Sequence, residues 1–166
     1  DGMIKGKYKG LFNHYLSELM KLNYQIKWKS MNSIYYGVPQ QRQRIIIMGV
    51  RKDLDKEPKF PSHNVDFKYM NDIVKDIDFH SRGQFDKRLK RVDNSFCYTI
   101  TKTPSIFFVA DGKKRKPTID ELKQISTFSL DFKLSGSFAQ QWGMIGNGVP
   151  PKLTEKIGST IISEIL

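Results

Sequence analysis

Residues Tyr36 to Arg51, Tyr-Gly-Val-Pro-Gln-Gln-Arg-Gln-Arg-Ile-Ile-Ile-Met-Gly-Val-Arg, constrain this chain more than any other stretch. Gly37 and Pro39 mark a turn, and a β-branched run follows at once. That run, flanked by Arg44 and Arg51, predicts a buried sheet strand over Arg44 to Val50. At period two, Gln40, Arg42 and Arg44 project to one side of an extended segment. Two guanidiniums aimed the same way make a fork for phosphate or for the oxygen edge of a base. The alternative is an exposed basic edge strand.

Upstream, residues 8 to 22 hold Leu11, Phe12, Tyr15, Leu16, Leu19 and Met20 at helical spacing, which predicts an amphipathic helix. Tyr24 to Lys29 suits a short strand. Helix, strand, turn, strand is the pattern of the second half of an α/β sheet. Residues 52 to 66 lose periodicity and gain Pro58 and Pro61, so a boundary falls there. Tyr69 to Ile77 suits a short helix.

From Ser81 to Lys116 basic residues dominate, among them Lys87, Arg88, Lys90, Arg91, Lys113 and Lys114. Aromatic residues are interleaved with them and suit a minor core. Short β-rich pieces, Cys97 to Thr101 and Ile106 to Val109, are separated by Lys-Thr-Pro-Ser and Asp-Gly turns. The span reads as a small, loop-rich, positively charged module, and its lysines and arginines are candidates for phosphate contacts. Thr118 and Glu121 have the spacing of a capping box, opening a helix through about Ser126. Gly143 to Pro151 reads as a glycine-rich turn, feeding a helix from Lys152 to about Ile165. Leu153, Ile157, Ile161 and Ile165 fall on one face of that helix. A Gly-Asn-Gly turn before a helix suits backbone N–H groups meeting an anion.

The net charge of +11 favours a polyanion, nucleic acid or anionic membrane, over a small neutral substrate. No run of about 18 apolar residues offers a membrane span. Cys97 is the only cysteine, which excludes an internal disulfide and a multi-cysteine zinc site. His14, His63 and His80 show no metal spacing, so no metal site is expected. The expected setting is a reducing cytosol. The chain begins at Asp1, so a fragment, a processed product or part of something longer is expected.

Taken together, these pieces resemble the C-terminal half of a DNA cytosine-5 methyltransferase of the bacterial modification type. Tyr36 to Arg44 resembles that family's Gln-x-Arg-x-Arg block, its motif eight. Arg115 to Phe128 resembles motif nine, and Gly146-Asn147-Gly148-Val149-Pro150-Pro151 resembles motif ten. The resemblance implies an α/β fold: part of a Rossmann-like S-adenosylmethionine-dependent methyltransferase sheet, with a small, loop-rich β target recognition domain. It implies residues 1–51 as the C-terminal part of the catalytic domain and 52–114 as the target recognition domain. Residues 115–166 would be the motif nine and ten region, whose helix returns to the catalytic domain. The family's glycine-rich cofactor motif, its Pro-Cys nucleophile and its Glu-Asn-Val motif have no counterpart in these 166 residues.

The resemblance also assigns roles. In the family's reaction a thiolate adds to C6 of a flipped-out cytosine, and C5 then accepts the methyl group. Arg44 matches the position credited with stabilising charge on the ring oxygen O2. Arg42 matches one that reaches phosphate or helps seat the catalytic loop, and Gln40 supports the arginines. Asn147, Gly148 and Val149 match the turn against the methionine part of S-adenosylmethionine, where backbone would hold the carboxylate. Arg115 and Glu121 match bracing residues. Thr99, in a Thr-Ile pair, matches a position near the target base; Cys97 is expected to be an ordinary buried thiol. The implied partners are double-stranded DNA and an N-terminal methyltransferase half, joined or separate, without which the chain is expected to be inactive. A restriction-modification setting is implied. A non-catalytic DNA-binding module and an inactive remnant are the other readings.

Overall fold

Asn23, in the left-handed region at φ 64°, ends the first helix and turns the chain into the first strand. The computed structural model describes residues 3–63, 67–74, 78–81, 90–91 and 95–165. It divides into two compact units, residues 1–31, 44–61 and 157–166, and residues 32–43 and 62–156. These limits differ from the boundaries expected after 51 and 114, because segments distant in sequence associate in each unit.

In the first unit, α1 (Lys9–Lys21) sits where the periodicity placed it. Only Phe12 and Leu16 of its six expected apolar residues are buried; Leu11 and Tyr15 are exposed. Phe12 meets Trp28 edge to face, with ring centroids 5.4 Å apart. Strands β1 (Tyr24–Asn32) and β2 (Gln43–Arg51) pair as a two-stranded sheet. β1 is longer than expected, and β2 is less buried: Ile45, Ile46 and Ile47 are half-buried, while Met48 and Val50 are covered. Those two join Phe60, Ile157, Ile161 and Ile165 in a small core.

The second unit holds a four-stranded sheet in the order β4-β3-β5-β6, all neighbours antiparallel. The strands are β3 (Asp78–Ser81), β4 (Lys90–Arg91), β5 (Ile106–Ala110) and β6 (Lys113–Arg115). Asp111 and Gly112, both at positive φ (49° and 72°), make the tight hairpin turn between β5 and β6. Cys97 to Thr101 forms no full strand; Cys97 contributes an isolated bridge to Gln40. The expected helix over Tyr69 to Ile77 is a single 3-10 turn at Met70–Asp72, and residues 75–77 lie outside the described residues.

Helix α2 (Ile119–Ile125) opens with both halves of the expected capping box, between Thr118 and Glu121. Helix α3 (Phe138–Asn147) opens with a second, between Ser137 and Gln140. Thus Gly143 to Asn147 is helix rather than turn, and only Gly148 to Pro150 separates α3 from α4 (Pro151–Glu164). The core of this unit gathers Met70, Cys97, Ile100, Ile106, Phe108, Leu122, Ile125, Trp142 and Ile145.

Candidate functional site

Ser33 closes the turn that precedes β2. Its N–H donates to the Arg42 carbonyl at 3.0 Å. Its hydroxyl donates to the Gln40 carbonyl at 2.5 Å and accepts the Arg42 N–H at 3.2 Å. Gly37, at φ 74°, lets the 3-10 turn Ser33–Tyr36 end without a side-chain clash. Residues 33 to 42 therefore form a loop closed at its base by Ser33, while backbone groups at Pro39 and Gln41 are left for partners outside it.

That loop grips a distant segment. The Cys97 N–H donates to the Pro39 carbonyl at 2.9 Å, and the Gln41 N–H to the Cys97 carbonyl at 2.7 Å. The Thr99 hydroxyl donates to the Gln41 carbonyl at 2.6 Å. Gln40 is buried and uses both ends of its amide: Oε1 accepts the Ile100 N–H at 3.2 Å, and Nε2 donates to Ser126 Oγ at 3.0 Å. Its amide thus ties the loop to residues 100 and 126.

Arg42 is 2% exposed. Nη1 donates to the Ile100 carbonyl at 2.8 Å, and Nη2 to the Gly146 carbonyl at 2.7 Å. Gly146 lies in the last turn of α3, where carbonyls lack helical partners and a cation is favoured. A Cβ on Gly146 would stand 2.2 Å from the Thr101 carbonyl oxygen, so only glycine permits this approach. Trp142 Nε1 donates to the same Thr101 oxygen at 3.0 Å. Of the two roles expected for Arg42, reaching phosphate or seating a loop, phosphate contact is not what its terminal nitrogens make here: they close on two carbonyls inside the fold.

Arg44 lies in β2, half-buried. Strand alternation puts it on the face that carries Met48 and Val50. Burial lowers its pKa from the ordinary arginine value, and an arginine so placed stays charged near neutral pH. Arg42 belongs to the second compact unit and Arg44 to the first.

Asn147 and Val149 are exposed at the end of α3. The Gly148 N–H donates to the Met144 and Ile145 carbonyls, at 3.0 and 3.2 Å. Gly148 is thus not the anion donor expected of a glycine turn; its N–H closes the helix end.

Lys113 and Lys114 are exposed on β6, with Lys114 Nζ 4.4 Å from the centre of the Phe107 ring. Lys90 and Arg91 lie in β4, and their side chains, like the whole of Lys87 and Arg88, lie outside the described residues. Arg115 forms a two-pronged pair with Glu121, at 2.8 and 2.7 Å, which braces β6 against the start of α2. Cys97 is fully buried, and burial pushes its thiol pKa up. Among the described residues no group of three or more His, Cys, Asp or Glu is placed to hold a metal. No described helix is long and apolar enough to cross a membrane.

Sequence reasoning found Gln40, Arg42, Thr99 and the motif around Gly146, but not Ser33, Ser126 or Trp142. The Ser137-x-x-Gln140 spacing would have placed α3, and with it Trp142 and Gly146, on a helix.

Comparison with known proteins bears on this arrangement. A family model for C-5 cytosine-specific DNA methylases matches residues 1–96 and 84–163. The type II methyltransferase M.Sau96I of Staphylococcus aureus is 26% identical over 211 residues, covering 93% of this chain and 49% of that protein. M.BsuRI of Bacillus subtilis is 25% identical over 196 residues, covering 91% and 45%. A Spodoptera frugiperda DNMT2 variant superposes with a TM-score of 0.71 at 15% identity, covering 98% of this chain and 64% of that one. A putative prophage-encoded DNA modification methyltransferase from E. coli superposes at 0.69 and 15%, covering 99% and 67%. Such likeness at low identity shows a shared α/β fold. The chain spans about half the length of these curated relatives.

Proposed function

Because the chain belongs to the C-5 cytosine-specific DNA methylase family, we propose that it is the C-terminal part of a DNA cytosine-5 methyltransferase of a restriction-modification system. In this reading the two-stranded sheet β1–β2 is a portion of a Rossmann-like sheet that an N-terminal half extends; two strands alone make a marginal sheet. Residues 52–114 act as the target recognition domain on double-stranded DNA. The observation that carries the reading is Arg42, whose single side chain joins the motif-eight loop, the Thr99-Ile100 pair and the motif-ten glycine.

When bound, S-adenosylmethionine supplies the methyl group accepted by C5 of a flipped-out cytosine. Exposed Asn147 and Val149 fit its methionine part from the C-terminal end of α3, an end whose carbonyl dipoles favour a cationic group such as the ammonium. Arg44 stabilises the negative charge that builds on the ring and its O2 as a thiolate adds at C6. Gln40 and Arg42 are positioning residues: they fix the loop that leads into β2. The thiolate comes from the N-terminal half, since Cys97 is sealed in the core of its unit and has no path to a base. Thr99, Lys87, Arg88, Lys90, Arg91, Lys113 and Lys114 serve the DNA, the basic residues through phosphates without reading sequence.

The test is transfer of a labelled methyl group from S-adenosylmethionine to unmethylated DNA. The 166-residue chain is assayed alone and with a polypeptide carrying the N-terminal motifs. Activity only in the mixture is the expected result. Activity of the chain alone would show that the nucleophile lies here, and silence in both would end the methyltransferase reading.

A further inference from the structure

We infer that Asn147-Gly148 is a latent deamidation site that the closed end of α3 holds shut: the Asn147 carboxamide converts to a carboxylate only where that helix end is open. The site rests on α3 and its contacts alone, whatever reaction the chain serves.

The chemistry starts in the sequence. Asn147 is the only asparagine followed by glycine among the 166 residues. Glycine has no side chain to shield its nitrogen and has the widest choice of backbone angles, so it is the most permissive residue in that place. In the reaction the Gly148 nitrogen gives its proton to solvent and bonds to Asn147 Cγ. The Cγ–Nδ2 bond breaks, and the amide nitrogen leaves as ammonia. The succinimide ring so formed takes up one water and opens at either carbonyl, to aspartate or isoaspartate. Water is the only co-reactant, no electrons are transferred, and the loss of ammonia makes the step one-way. Asn147 is exposed, so solvent reaches the carboxamide.

The structure opposes the reaction at the attacking nitrogen. The Gly148 N–H donates to the Met144 carbonyl at 3.0 Å and to the Ile145 carbonyl at 3.2 Å. Asn147 is the last residue of α3. Ring closure needs Cβ and the next nitrogen nearly eclipsed about the Cα–C bond, and a helical ψ holds them well apart. Rotation about that bond would carry Gly148 off both carbonyls. Packing resists the rotation from two sides. The Phe128 ring lies against Gly148, where a Cβ would stand 3.0 Å from Phe128 Cζ. One residue before Asn147, the Gly146 carbonyl accepts from Arg42 Nη2 at 2.7 Å, and the Gly146 Cα abuts the Thr101 carbonyl. Exposure of the carboxamide therefore does not make it reactive; the placement of the backbone nitrogen decides.

The test incubates the 166-residue chain in mildly alkaline buffer, with and without guanidinium chloride. Peptide mass spectrometry then follows the amide-to-acid mass gain at residue 147. Asp111-Gly112 can also pass through a succinimide, but an aspartate gains no mass by it and so does not enter the reading. In buffer alone the folded chain should convert at least about tenfold more slowly than the denatured one, the factor that one net hydrogen bond supplies. Gly146→Ala keeps the Asn-Gly pair and pushes α3 off Thr101, so in buffer it should convert within about twofold of its denatured rate. Equal rates for the folded and denatured parent chain would overturn the gate, and this comparison needs no variant. No conversion in guanidinium chloride would overturn the site itself. A Gly146→Ala chain that circular dichroism shows to be folded, and that converts as slowly as the parent, would take the gate away from the end of α3.

Discussion

Gly146 and Thr101 meet backbone to backbone, so closely that a Cβ on Gly146 would stand 2.2 Å from the Thr101 carbonyl oxygen. The obstacle is main chain, which cannot swing aside as a side-chain tip can. Gly146→Ala improves intrinsic helix propensity by up to about 1 kcal/mol. The clash works the other way, at about 1–3 kcal/mol or more, and it pulls Trp142 and Arg42 off their carbonyls. The expected outcome is a net loss of about 2 kcal/mol, read as a lower Tm. An alanine variant as stable as the parent would contradict the close approach.

Glu121 titrates inside a capping box and a forked ion pair. Burial alone would raise its pKa, but the bonds from Arg115 and the Thr118 N–H outweigh that and hold it below the ordinary glutamate value. A folded-state pKa held below the unfolded one contributes stability above the unfolded pKa of about 4.3. That contribution disappears as pH falls through the lower, folded value. Glu121→Gln should cost about 1 kcal/mol near neutral pH, given a half-exposed arginine partner. The difference from the parent should shrink in acid. Urea midpoints at neutral and acid pH measure it, and a gap that widens in acid would contradict the assignment.

Lys113 and Lys114 are expected to contact phosphates. Replacing both by alanine should weaken DNA binding and reduce the slope of log affinity against log salt by about 2. Anisotropy titrations across a salt series give the slope. An unchanged slope would take β6 away from the DNA.

Arg44→Ala, tested with the N-terminal half present, should lower turnover by roughly a hundred- to a thousandfold, the usual loss for one donor to a developing oxyanion. DNA affinity should fall less than about threefold, since phosphate contacts dominate it. A variant with normal turnover would remove Arg44 from the chemistry.

Local patterns made much of this protein readable. The 3.6-residue spacing placed α1, the isoleucine run placed β2, Asp111-Gly112 marked the turn after β5 (though not the strand β6 that follows it), and Thr118 with Glu121 placed the start of α2. Each is an interaction among residues a few positions apart, so it leaves its mark in the local order of residue types. The motif-ten glycines were harder to read. Glycine marks turns and close packing alike, and here Gly146 is helical and lies against Thr101. The width of the buried face of α1 was not readable either, because Leu11 and Phe12 are equally apolar and only the fold covers one of them.

Arg42 and Arg44 show where sequence stops and structure begins. As residues they are the same, two positions apart, and the sequence by itself determined that a strand follows the turn here and that the chain carries a family's block. Only the tertiary structure decided that Arg42 is buried on the carbonyls of Ile100 and Gly146 while Arg44 stays half-buried in β2. The physical reason is that a side chain's partners are set by which distant segments close around it. Those contacts, 58 and 104 residues away along the chain, carry no local signature.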